Sequence, residues 1–203
     1  MAKLYFYYSA MNAGKSTMLL QSAYNYQERH LKTLILLPAI GIKDKSNIVS
    51  SRIGLSSPAT IINQHDNIFE LITPDYSCIL IDEAQFLTKK QVYQLADVVD
   101  RLNIPVLCYG IRSDFQAEAF EGSIYLLTLA DHLIEIKTIC HCGSKATMNL
   151  RIDADGKPVK QGSQVLIGGN DHYIATCRKH FNLNDAGKQS YQSPNSLNSL
   201  NFI

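Results

Sequence analysis

Gly14-Lys15-Ser16, reached through Ser9-Ala10-Met11-Asn12-Ala13, is the first place in the chain where residue types and spacing could do chemistry. Small residues let main-chain N–H groups turn inward, and the start of a following helix adds partial positive charge, so such a loop can cradle phosphate oxygens. Lys15 would reach the β- and γ-phosphates of a nucleotide, and the Ser16 hydroxyl would ligate Mg²⁺. The spacing matches G-x-x-x-x-G-K-[ST] except that Ser9 stands at the first glycine. The plainer alternative is a strand-to-helix turn with a merely exposed lysine. The apolar run Leu4 to Tyr8 before the loop and the helical pattern from Lys15 after it favour the phosphate loop.

A second candidate is Asp82-Glu83, which ends the apolar run Cys78-Ile79-Leu80-Ile81. Parallel sheets bind ligands beyond the carboxyl ends of their strands. Asp82 can hold Mg²⁺ directly or through water. Glu83 is then free to accept the proton of an attacking hydroxyl in phosphoryl transfer. Alone, the dipeptide could be a solvated charge at a helix start; together with the phosphate loop it gains chemical meaning.

A third cluster is Cys140-x-Cys142 with Cys177-x-x-His180, three thiolates and an imidazole that suit tetrahedral zinc. His141 lies between the first two cysteines and is an alternative ligand to His180, which is preferred. Four protein ligands close the shell, so the metal is expected to be structural. Cys78 and Cys108 fall within strand patterns and read as buried thiols.

These groups need positioning. Leu4–Tyr8, Thr33–Leu37, Thr60–Ile62, Cys78–Ile81, Pro105–Tyr109 and His132–Lys137 read as strands, with Pro38 stopping the second. Helical patterns follow Lys15 and Thr88, the latter with Val92, Leu95, Val99 and Leu102 on one face, and a short helix is expected over Asp66–Ile72 with Asp66 as N-cap. Gly41–Pro58 reads as an irregular mobile loop. Strands alternating with helices imply an α/β fold with a mostly parallel sheet and flanking helices, P-loop (RecA-like) in kind. From Ile139 the pattern changes to a small zinc-bound β-module with β-like pieces at Met148–Ile152 and Gln164–Ile167. The expected domains are a nucleotide-binding α/β domain over 1–138, a zinc-binding module over 139–181 and a disordered tail over 182–203.

The chain has 203 residues, 46% hydrophobic and 18% charged, with a net charge of +1. That balance advertises no nucleic-acid or membrane partner. Five cysteines, an odd number, argue against a disulfide framework. No apolar run is long enough to span a bilayer, and Met1–Tyr8 lacks a signal-peptide pattern, so the expected location is cytoplasmic.

Ser9–Thr17, Asp82-Glu83-Ala84-Gln85-Phe86, Cys108–Phe115 and Val165-Leu166-Ile167-Gly168-Gly169-Asn170 ahead of Cys177-Arg178-Lys179-His180 resemble the type II thymidine kinases in their bacterial branch. The likeness runs from about residue 3 to residue 181 in order. It implies transfer of the γ-phosphate of ATP to the 5′-hydroxyl of thymidine, with deoxyuridine a further possible acceptor. It also implies Glu83 as base, a structural zinc, a homotetramer and end-product inhibition by thymidine triphosphate (dTTP). ATP and Mg²⁺ are expected at Ser9, Ala10, Met11, Asn12, Ala13, Gly14, Lys15 and Ser16 with Asp82, Glu83, Ala84 and Gln85. By the same resemblance Phe115 stacks on the thymine, Met11, Ile111 and Phe120 wall the base pocket, and Gln164, Val165, Leu166, Ile167 and Gly168 with Tyr173 form a lasso loop that reads the base edge. The family often has an arginine element after the second strand; here Gly41-Ile42-Lys43 stands nearest, so that role falls to Lys43 or Arg52 or is missing.

On the residues alone, Phe115 and Phe120 could equally be core or base-stacking faces. Two other functions fit parts of the pattern: a nucleic-acid-stimulated ATPase with a zinc ribbon, and a non-catalytic zinc-ribbon binding module.

Overall fold

The computed structural model describes residues 1–41, 47–164 and 172–187. Six strands, β1 (Leu4–Ser9), β2 (Thr33–Pro38), β5 (Thr60–Ile62), β6 (Cys78–Ile81), β7 (Val106–Ile111) and β8 (His132–Glu135), form one sheet in the order β5-β2-β6-β7-β1-β8. Every pairing in it is parallel. The helices are α1 (Lys15–Gln27), α2 (Ile68–Leu71), α3 (Lys89–Leu102), α4 (Glu121–Leu129) and α5 (Arg178–Leu183).

Side chains alternate between the faces of a strand, and both faces here are apolar. Phe6, Ile79, Ile81, Val106 and Cys108 pack with Val92, Leu95 and Val98 of α3 and Leu126 of α4. Leu80, Leu107 and Tyr109 point the other way, onto Leu19, Leu20 and Ala23 of α1. Sequestering both faces from water fixes the strand ends, at roughly 25 cal/mol per Å² of apolar surface buried. The three central strands β6, β7 and β1 are neighbours, so the loops leaving their carboxyl ends lie side by side. Helix α3 begins with a capping box: the Thr88 hydroxyl accepts from the Gln91 N–H, and the Gln91 side chain accepts from the Thr88 N–H.

Beyond the sheet lies the small module. Strands β9 (Thr138–Ile139) and β10 (Lys145–Ala146) pair antiparallel, as do β11 (Met148–Arg151) and β12 (Tyr173–Thr176). Lys145 bridges to Glu135 of β8 at 2.8 Å, tying module to sheet.

The structure corrects several expectations. Gly41–Pro58 is not wholly irregular: β3 (Ile48–Ser50) and β4 (Ser56–Pro58) form a hairpin, because Val49 buries itself beside α1. Residues 42–46 of that stretch lie outside the described residues. Helix α2 starts later than expected, with Asn67 at the N-cap. The Asp66 carboxylate instead accepts from the Asn63 main-chain and side-chain N–H groups. Helix α4 escaped the sequence reading, since its buried positions include Gly122 and Ser123, which give no apolar signal. The partner of β11 is β12, and of the expected strand Gln164–Ile167 only Gln164, in a bend, is described. The expected tail boundary at 181/182 falls inside α5, which runs to Leu183. No described helix is long and apolar enough to cross a membrane.

Candidate active site and metal cluster

The loop from Ser9 to Gly14 joins β1 to α1 in a tight turn, and Asn12 and Gly14 both take positive φ, 62° and 85°. Glycine adopts that conformation without the cost a Cβ brings, which accounts for Gly14 at the N-cap of α1. The Lys15 ammonium donates to the Ser9 hydroxyl at 3.1 Å and to the Ala10 carbonyl at 3.3 Å. Ser9 in turn donates to the Ala10 carbonyl at 2.6 Å. The serine at the first motif position thus serves as an acceptor that holds the lysine across the loop.

The next residue connects two motifs far apart in sequence. The Ser16 hydroxyl donates to Oδ2 of Asp82 at 2.9 Å, and Asp82 is only 5% exposed. Two neighbouring oxygen ligands of an octahedral Mg²⁺, at bonds of about 2.1 Å, stand about 3.0 Å apart, so the pair fits that ion. Oδ1 of Asp82 accepts from the Glu83 N–H at 3.0 Å.

Glu83 has φ 49°, an uncommon conformation for a residue with a side chain. It opens a short 3-10 turn, Ala84–Phe86. The Glu83 carboxylate accepts from Gln85 Nε2 at 2.7 Å, and Gln85 Oε1 accepts from the Ile111 N–H at 3.2 Å. Gln85 therefore anchors Glu83 to the end of β7. The turn lies so close to α4 that glycine is required at Gly122, and it comes close to β7 at Gly110 as well. A Cβ at Gly122 would stand 2.6 Å from the Ala84 carbonyl oxygen, and one at Gly110 would stand 2.9 Å from Gln85 Oε1. Gly110 falls in the Cys108–Phe115 block quoted from the sequence, whereas Gly122 gave no sequence signal.

Phe115 and Phe120 follow β7 and part company. Phe115, 3% exposed, meets the Tyr173 ring edge-on at 6.5 Å and lies 5.1 Å beneath the Arg151 guanidinium. Phe120 packs edge-on against Phe86 at 5.6 Å, supporting the Glu83 turn. Ile111 is buried, and its carbonyl accepts from the Ser123 hydroxyl at 2.6 Å. Gln164 is exposed, while Val165, Leu166, Ile167 and Gly168 lie outside the described residues, as does Lys43. Arg52 sits at the turn of the β3–β4 hairpin.

The module meets the Ser9–Gly14 loop through polar side chains. Asn149 of β11 accepts from the Met11 N–H at 2.7 Å and donates to the Ser113 carbonyl at 3.0 Å. Asn12 donates to the Tyr173 carbonyl at 3.3 Å, and Gln116 to the Gly162 carbonyl at 3.3 Å. Asn149 and Arg151 were not singled out from sequence; the one signal was polar residues alternating with apolar ones along Met148-Asn149-Leu150-Arg151.

Ligand atoms of Cys140, Cys142, Cys177 and His180 lie within 4.8 Å of one another. The Cys142 and Cys177 sulfurs are 4.0 Å apart, and His180 Nδ1 stands 3.3 Å from Cys140 Sγ and 3.4 Å from Cys177 Sγ. With Zn–S bonds of about 2.3 Å a tetrahedron has an edge of about 3.8 Å, so the four residues fit zinc. Hydrogen bonds from the Ser144 hydroxyl and main chain lower the Cys142 thiol to about 6, favouring thiolate, while burial raises Cys140. His141 falls outside this foursome. Its ring lies against that of His180 at 4.3 Å, and both face Asp185, whose Oδ2 is 3.9 Å from His180 Nε2. Asp185 thus stands behind a metal-facing imidazole, though the sequence reading assigned it to the tail.

The thymidine kinase family model matches residues 2–181. Thymidine kinase from Legionella pneumophila (strain Paris) is 59% identical over 194 residues, covering 93% of each chain. That from Coxiella burnetii is 60% identical, covering 90% of this chain and 96% of its own, and that from Salmonella paratyphi A is 58% identical, covering 89% and 91%. A solved Pif1 helicase from Candida albicans is 11% identical with a TM-score of 0.39, covering 68% of this chain and 36% of its own, a likeness too slight to argue from.

Proposed function

The chain belongs to the thymidine kinase family, and on that premise we propose that it transfers the γ-phosphate of ATP to the 5′-hydroxyl of thymidine with Glu83 as general base. The observation that carries this reading is the Ser16–Asp82 hydrogen bond of 2.9 Å, which joins the phosphate loop to the strand end bearing Glu83.

In this reading Lys15 and the main-chain N–H groups from Asn12 to Ser16 hold the β- and γ-phosphates. Ser16 and Asp82 would hold Mg²⁺, which when bound neutralises charge on the transferring group. The Glu83 carboxylate takes the proton of the 5′-hydroxyl as that oxygen attacks phosphorus and the bond to the ADP oxygen breaks. Gln85 keeps the carboxylate aimed, at a cost in backbone strain at Glu83.

Phe115 supplies the stacking face for thymine, worth about 1–3 kcal/mol per base. Its burial under Arg151 and Tyr173 supports a base site between the β7–α4 segment and the module. Phe120 acts one layer behind, through Phe86. Val165–Gly168 would read the base edge, where an unmatched polar group makes the wrong base costly. Zinc on Cys140, Cys142, Cys177 and His180 is structural, because four protein ligands leave no open position. A homotetramer, inhibition by dTTP, a cytoplasmic location and a P-loop domain over 1–138 with a zinc module over 139–181 complete the proposal, on the strength of family membership.

A coupled ATP-consumption assay over a panel of nucleosides tests it. Thymidine-dependent turnover is expected, with purine nucleosides inert. ATP hydrolysis stimulated by single-stranded DNA without any nucleoside phosphorylation would overturn it.

A further inference from the structure

We propose that Asn149 is a positioning residue for phosphoryl transfer, setting the phosphate loop and the base-bearing segment in register through one side-chain amide. The inference rests on the kinase reading above and extends it to a residue outside every motif.

Asn149 lies on β11 and is 2% exposed. Its carbonyl oxygen accepts from the Met11 N–H at 2.7 Å, and its amide nitrogen donates to the Ser113 carbonyl at 3.0 Å. Met11 belongs to the loop leaving β1, and Ser113 precedes Asp114-Phe115 on the segment leaving β7. The two loops come from adjacent parallel strands. Beyond the strand ends the sheet ladder no longer joins them, and Asn149 supplies a planar bridge with a donor at one end and an acceptor at the other.

The bridge is anchored from behind. Strand β11 pairs with β12 over Met148–Arg151, and β12 carries Tyr173, whose carbonyl accepts from Asn12 and whose ring meets Phe115. The ribbon therefore grips the phosphate loop at Met11 and Asn12, and the base segment at Ser113 and Phe115. In-line transfer needs the 5′-oxygen aligned with the γ-phosphorus, and small misplacements reduce the rate without abolishing binding. The Met11 N–H points at Asn149, so the loop's phosphate-facing amides begin at Asn12.

Asn149→Leu, which keeps the number and branching of side-chain heavy atoms, and Asn149→Ala test this in zinc-loaded enzyme. Calorimetric titration with thymidine and with a non-hydrolysable ATP analogue gives each Kd and the number of competent sites; steady-state rates then give kcat per competent site. The expected result is a fall of about 10- to 100-fold in kcat per site, with both Kd values within about threefold of the parent. A merely structural role would reduce the number of competent sites and leave kcat per site within about twofold of the parent, and that result overturns the inference. Should the parent protein phosphorylate no nucleoside, the kinase reading fails by itself. Hydrogen exchange at the Met11 amide then decides the bridge: slow exchange in the parent and fast exchange in a folded variant are expected, and an unprotected Met11 amide in the parent overturns it.

Discussion

The parallel sheet and the small module hold their functional residues by opposite means. In the sheet, Lys15, Ser16, Asp82 and Glu83 stand at the ends of strands packed on both faces by apolar side chains. In the module, among the described residues, β11 and β12 pair with each other over a few buried apolar side chains such as Leu150, Ile152 and Tyr173, and the segment is tied down by Asn149, Asn12, Gln116 and Lys145 beside a Cys/His cluster that could hold a metal. Apolar burial makes a rigid floor. A small apolar patch held by discrete polar ties makes a cover that can be released at a few points while the floor stays intact. An enzyme that must admit a nucleoside and then exclude water around it uses both.

The comparison breaks most sharply at Lys15. Lys15→Ala should lower kcat on the order of 10³-fold, because an ammonium aimed at developing phosphate charge is lost. Its melting temperature should stay close to the parent's, since the sheet core does not depend on that side chain; a large fall would mean that Lys15 holds the fold. Coupled turnover and circular-dichroism melting read both.

Zinc removal should do the reverse, loosening the module while leaving the sheet folded. In chelator-treated protein Cys140, Cys142 and Cys177 should become open to alkylation, while Cys78, buried and raised to about 12, and the fully buried Cys108 stay protected. Mass spectrometry of the modified peptides measures this; equal labelling of all five thiols would mean that the sheet also depends on the metal.

Gly122→Ala sharpens the comparison inside the sheet domain. A Cβ within 2.6–2.9 Å of three carbonyl oxygens in the Ala84–Leu87 turn must push that turn away. A loss of about 1–3 kcal/mol in stability is expected, with a lower kcat as Glu83 shifts. Denaturant titration and turnover should fall together; unchanged values would mean that the turn yields freely.

The smallest effect is expected at Asp185. Asp185→Ala should weaken zinc binding by about tenfold in chelator competition, by removing the carboxylate that faces His180 Nε2. Unaltered affinity would show that His180 needs no outer support.

The same contrast decides what could be read from sequence. Buried strands, the turn that carries Gly14 from β1 into α1 and the Asp82-Glu83 strand end were legible because local composition marks them: apolar runs such as Cys-Ile-Leu-Ile, glycine before lysine, acid after apolar. The parallel sheet followed from their alternation with helices, and the gathering of Cys140, Cys142, Cys177 and His180 from ligand type. Helix α4 was not legible, because its inward face uses Gly122 and Ser123 to approach a turn some 35 residues earlier in the chain. Strand β12 was missed for a similar reason: Tyr173–Thr176 has little alternation, and its partner β11 ends well upstream in sequence, at Arg151. Asn149, Gln85 and Asp185 act through contacts distant in sequence or across turns, where residue type alone says nothing about the partner.

Glu83→Gln is the most direct test of the central claim that Glu83 receives the proton of a hydroxyl held within transfer reach of the Lys15 loop. Kinetics with ATP and thymidine should show kcat reduced by about 10²–10⁴-fold, with the Kd of a non-hydrolysable ATP analogue unchanged. A variant that binds the analogue normally and turns over thymidine at close to the parent rate would contradict the account.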